Sequence, residues 1–128
     1  MGAWSYEVLS NDSALDMLSD IEDSKNITED IIKILDEDTC VDKKLLAIEI
    51  IDISLNGIDE EILGGIYEYE NWFKEIEKKP MNDLLTKAIQ NIRYIKEHDD
   101  GWVERVKGQR KELLIKIENR LLQSQNNL

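Results

Sequence analysis

The most apolar stretch of the chain runs from Leu45 to Leu55, LLAIEIIDISL, and only Glu49 and Asp52 interrupt it with charge. A run of this length is too short to cross a bilayer, which takes about 20 residues. Asp42 can cap its start and Asn56-Gly57 can end it, which predicts a helix from about Asp42 to Asn56. On a helical projection Asp42, Glu49, Asp52 and Asn56 fall within roughly 80° of one another. The rest of the circumference is apolar apart from Lys43 and Lys44 in the first turn. A helix that is apolar nearly all round is buried on most sides, so the other segments are expected to pack around this one.

The remaining apolar positions recur at helical spacing. A helix from Asp12 or Ser13 to Asp23 would bury Leu15, Leu18 and Ile21, with Ala14 and Met17 beside them. Its other face carries Asp12, Asp16, Asp20 and Asp23. After the Ser24-Lys25-Asn26 turn, a helix over about Thr28 to Asp38 would turn Ile31, Ile34 and Leu35 inward, flanked by Ile27 and Ile32. That helix ends in Asp36-Glu37-Asp38, an unfavourable place for negative charge against the helix dipole. Asp59-Glu60-Glu61 opens a fourth helix, with Ile62, Ile66, Tyr69, Phe73 and Ile76 as its stripe and Lys78-Lys79-Pro80 as its end. A fifth, from about Asn82 to Glu97, repeats the pattern with Met81, Leu85, Ala88, Ile92 and Ile95. A sixth, from about Trp102 to Gln123, has Val103, Val106, Leu113, Ile117 and Leu121 inward, and Arg110 falls on that stripe. Residues 1–10 form an arm whose Trp4, Tyr6 and Val8 dock on the helices, and 124–128 a frayed tail. With one Pro and no sustained strand pattern, the expected fold class is all-α. It would be a single-domain bundle of five to six helices around the central apolar helix at about 42–56.

Charge sharpens this picture. Residues 1–64 carry 17 acidic and 4 basic side chains, whereas residues 65–128 carry 11 and 12. The acidic half repels nucleic acid and an anionic membrane surface, and it steers a basic partner toward itself. The basic residues of the last helix are interleaved with Glu104, Glu112 and Glu118, as on a solvated helix. The N-terminus lacks the basic and apolar regions of a signal peptide, and Cys40 is the lone cysteine, so a reducing, cytoplasmic location is expected.

Candidate chemistry is sparse. One His and one Cys cannot supply a structural zinc site, and no cofactor is expected. A calcium loop starting at Asp36 fails, because Val41 stands where glycine must be and Ala47 where glutamate must be. There is no HExxH, P-loop or GxSxG motif. If the chain were an enzyme or ligand binder, Glu49 and Asp52 would be the candidates for acid–base work. Their bland alternative is a stripe that faces solvent or pairs with Lys or Arg of the last two helices.

The opening run, GAWSYEVLSNDSALD, resembles the start of a family of small bacterial helical domains of unassigned function, G-x-W-G-x-G-x-F followed by N-D-x-A-x-D. Gly2, Trp4, Asn11, Asp12, Ala14 and Asp16 match it; Ser5 and Glu7 replace glycines, and Leu9 stands where an aromatic is usual. In type, though in no residue motif, the chain also resembles immunity proteins of contact-dependent growth inhibition and related toxin systems. That resemblance implies no enzyme but a one-to-one inhibitor of a cognate toxin, a basic nuclease (RNase) whose substrate cleft an acidic surface would block. The expected binding residues are Asp36, Glu37, Asp38, Asp59, Glu60 and Glu61, then Asp16 and Asp20, with Tyr69 and Trp72 as anchors that could equally be core. A general helical interaction domain is the alternative.

Overall fold

In the computed structural model, residues 8, 12–23, 25–37, 40–57, 62, 81–99, 102 and 104–127 are described. They form five helices: α1 (Asp12–Glu22), α2 (Ile27–Glu37), α3 (Val41–Asn56), α4 (Met81–His98) and α5 (Glu104–Asn126). No strand occurs among the described residues, and the helices pack as an all-α bundle. The fourth helix expected over 59–79 lies outside the described residues except for Ile62, which is buried.

The central position of α3 follows from its composition. Every residue from Leu45 to Ser54 is buried, Glu49 and Asp52 included. α1, α2, α4 and α5 all pack against it, and α4 also packs on α2 and α5. The N-terminal boundary differs from the sequence expectation. Cys40, with extended backbone, holds the N-cap position, and Asp42 lies inside the first turn. There its charge acts on the helix dipole rather than as a cap. At the other end, Gly57 takes φ +83° and donates its N–H to the Ile53 carbonyl at 2.9 Å. A positive φ after the last turn, with extended ψ, favours glycine, which explains why the helix stops there.

The flanking helices turn toward α3 by small offsets from the predicted stripes. On α1 the buried set is Ala14, Met17, Leu18 and Ile21, while Leu15 is only partly buried. The spacing of that set is the tighter i, i+3, i+4, i+7 stripe. On α2, Ile31 and Leu35 are buried and Ile27, Ile32 and Ile34 flank them. Asn26 Oδ1 accepts the Glu29 N–H at 3.1 Å, which caps the start of α2. On α4, Leu85, Ala88, Ile92 and Ile95 are buried as expected, joined by Leu84 and Ile89. On α5, Leu113, Ile117 and Leu121 are buried with Leu114, and α5 runs through Gly108 without interruption. Val8 is buried and its N–H donates to the Ile62 carbonyl at 2.9 Å, so the N-terminal arm is joined to the core at that point.

If α3 is the core, truncation there must cost far more than truncation of an exposed apolar residue. Ile48→Ala is expected to lower the unfolding free energy by about 2–5 kcal/mol. Ile115→Ala, at a 46% exposed position on α5, is expected to change it by about 0.5 kcal/mol or less. Urea denaturation followed by circular dichroism measures both.

Candidate functional site

Two groups of polar residues stand out from this frame: a buried set on α3 and an exposed acidic set on α1 and α2. The buried set starts with Asp52, whose side chain is fully enclosed. Arg120 of α5 straddles its carboxylate, donating from Nε to Oδ1 at 3.1 Å while lying 2.9 Å from Oδ2. Asn56 Nδ2 donates to the same Oδ1 at 2.8 Å and to Ser124 Oγ at 2.7 Å. Arg120 Nη2 also donates to the Gly57 carbonyl at 2.8 Å. The chain of bonds from Ser124 through Asn56 and Asp52 to Arg120 therefore locks the C-terminal turns of α3 and α5 together. Glu49, one turn earlier on α3, is equally buried. Glu49 and Asp52 thus face the interior, while Asp42 is half-buried and Asn56 exposed at the ends of the stripe, and Asp52 pairs with an arginine of the last helix.

A buried cation closes the other end of α5. Arg110, 2% exposed, donates from Nε and Nη2 to the two oxygens of Asp99 at 2.8 and 3.1 Å, and its guanidinium lies 4.8 Å from the Trp102 ring. A bidentate pair of this kind makes the polar intrusion on the apolar stripe tolerable. Asp42 shares this environment. Burial raises its pKa above the ordinary 3.8, Arg110 partly offsets that, and Asp99 adds to it. Because the folded pKa is raised, ionised Asp42 opposes folding at neutral pH, and the cost disappears as pH falls below the unfolded value.

Other cations are also engaged internally. Lys87 of α4 reaches Asp36 at 2.8 Å, and Lys44 of α3 donates to the Leu35 carbonyl at 3.3 Å and to Asn91 Oδ1 at 3.0 Å. These contacts supply the positive charge that the acidic end of α2 lacks in its own sequence. Lys96 and Arg93 hold Glu118 at 2.6 and 3.0 Å. The Lys96 hydrogen bond is the main reason the Glu118 pKa falls below its ordinary value; partial burial opposes it, and Arg93 adds to the lowering.

The exposed set is different. Asp16, Asp20 and Asp23 on and just after α1, and Glu29 and Glu37 on α2, are exposed. Among the described residues none of these five is held in an ion pair. Between α1 and α2 runs a groove of about 290 Å³, lined by Met17, Asp20, Ile21, Asp30, Lys33 and Ile34, with Lys43 from the first turn of α3. No cluster of potential metal ligands occurs among the described residues, and none of their helices is long and apolar enough to cross a membrane.

The sequence-predicted binding residues divide accordingly. Asp16, Asp20 and Glu37 are exposed on the α1–α2 side, and Asp36 is exposed but committed to Lys87. Asp38, Asp59, Glu60, Glu61, Tyr69 and Trp72 lie outside the described residues. The groove escaped sequence reasoning because its floor and rim come from three helices. Lys44 escaped it too: its place at the start of an apolar helix gave no hint that it crosses to α2 and α4.

Residues 2–107 match the family described as Domain of unknown function (DUF4259). No curated protein matches the chain, and no solved structure does. The family match stops just inside α5, so Arg110, Arg120 and the core residues Leu113, Leu114, Ile117 and Leu121 all follow it.

The Asp52–Arg120 pair makes a sharp prediction. Arg120→Met strands a buried carboxylate and is expected to cost about 3–5 kcal/mol. Asp52→Asn combined with Arg120→Met removes the stranded charge and is expected to recover most of that loss. A double-mutant cycle of urea unfolding free energies tests this, and strictly additive effects would contradict it.

Proposed function

The chain belongs to the DUF4259 family of domains of unknown function, and we propose that it acts as a stoichiometric inhibitor: an immunity protein that neutralises a cognate toxin domain, a basic nuclease, by direct one-to-one binding. One observation carries this reading. Lys87, Arg93, Lys96, Arg110 and Arg120 of α4 and α5 are held in ion pairs, and the exposed Arg105, Lys107 and Lys111 of α5 are interleaved with Glu104 and Glu112, whereas among the described residues Asp16, Asp20, Asp23, Glu29 and Glu37 are exposed and in no ion pair. From Asp12 to Glu37 the sequence holds nine carboxylates against two lysines. Uncompensated charge of this kind raises the association rate with a basic surface and is lost to screening as salt rises. The carboxylates would stand where substrate phosphates sit in the nuclease cleft.

Within this reading Asp36 contributes less than Asp16 and Asp20, because Lys87 already neutralises it. Catalysis by Glu49 and Asp52 finds little support, since both are enclosed and Asp52 is gripped by Arg120 and Asn56.

Co-expression with the product of the gene immediately upstream, with growth as the readout, tests the proposal. That product alone is expected to arrest growth, and this chain to copurify with it at one to one and restore growth. Asp16→Lys, Asp20→Lys and Asp23→Lys combined are expected to slow association at least tenfold at low salt, and Asp36→Ser to have a smaller effect. An unchanged association rate for the triple variant would refute the electrostatic mechanism.

A further inference from the structure

We infer that the groove between α1 and α2 is an anchor site for one apolar side chain carried on a basic polypeptide segment. The inference rests on the α1–α2 side being the binding face, and it adds what charge alone lacks: a place that fixes register. The floor is made by Met17 and Ile21 of α1, both buried, and by the half-buried Ile34 of α2. At about 290 Å³ and open to solvent, the groove falls just under the range of small-molecule clefts, about 300–1,000 Å³. An open groove of that size suits a single protruding side chain better than an enclosed ligand.

The charge around the groove defines the occupant. Asp20 of α1 and Asp30 of α2 supply carboxylates from two different helices. Lys33 and Lys43 balance these charges within the lining, and the acidic surplus lies outside it at Asp16, Asp23 and Glu29, which favours a segment bearing Lys or Arg beside its apolar residue. Lys33 and Lys43 also line the groove. Their ammonium groups are suited to donate to the carbonyl oxygens of a bound backbone, and their stems to extend the apolar floor. Buried apolar anchors ringed by charge are the usual source of binding energy in protein interfaces, with the charged rim setting rate and orientation.

The test uses two synthetic peptides of equal length and charge, one built from Lys and Leu and one from Lys and Ser. Each is titrated into the isotope-labelled full chain and followed by amide chemical shifts. The Lys/Leu peptide is expected to bind at least tenfold more tightly, with shifts concentrated at 17–21 and 30–34. Ile34→Trp fills the groove without changing charge and is expected to cut that affinity at least tenfold. Ile115→Trp, on the exposed side of α5, should leave it unchanged. Asp20→Asn alters only the rim and should weaken binding by a smaller factor, which keeps the test sound if Ile34→Trp disturbs folding. Equal affinity for the two peptides, or shifts spread evenly over all exposed carboxylates, would overturn the anchor site. Because no toxin enters this assay, that outcome would leave the inhibitor reading standing on charge alone. Failure of the co-expression assay alongside groove-specific peptide binding would sink the toxin assignment and support the anchor site.

Discussion

The structure depends on the enclosure of α3. A helix whose ten central residues are all buried has no face left for water, so its neighbours must cover it from every side. Two of those residues carry carboxylates, and an enclosed charge without a partner would cost more than the surrounding aliphatic packing could offset. Arg120 solves that problem at Asp52, and in doing so it determines where α5 must lie. Asn56 and Ser124 extend the same contact to the last turns of both helices. A polar contact inside an apolar core thus ties the register of the C-terminal helix to that of α3.

The same bookkeeping of charge explains the division of the surface. α4 and α5 hold their acids and bases together, as in Lys96 and Arg93 around Glu118 and Arg110 on Asp99. Lys44 and Lys87 reach across to steady the acidic end of α2. On α5 the exposed Arg105, Lys107 and Lys111 alternate with Glu104 and Glu112, whereas the exposed charge on α1 and α2 is mostly acidic, beside a groove with an apolar floor. Five basic residues of α4 and α5 thus hold the bundle, and Asp16, Asp20, Asp23, Glu29 and Glu37 remain available to a partner.

Much of the fold was legible in the sequence. The apolar run at 45–55, with glycine at its end, announced both the position and the burial of α3. The stripe of α4 was equally plain, because strong periodicity over five turns leaves little choice of face; on α5 Leu113, Ile117 and Leu121 were found, but Val106 is only half-buried and Val103 lies outside the described residues. The shorter α1 was read with Leu15 too far inward, since three turns allow the stripe to rotate by one position. Charge partners were the least legible feature. The Asp52–Arg120 pair spans 68 positions and the Lys87–Asp36 pair 51, and no local pattern encodes either. Arg110 on an apolar stripe was the visible anomaly, and Asp99 and Trp102 supply its cause.

Native-state hydrogen exchange tests the central role of α3 most directly. The account predicts that amides from Leu45 to Ile53 exchange only through global unfolding, with opening free energies equal to the total unfolding free energy. The exposed turns of α1 should open at lower cost. If α3 amides exchanged through a smaller opening than those of α4 and α5, the bundle would not be organised around α3, and the account would be wrong.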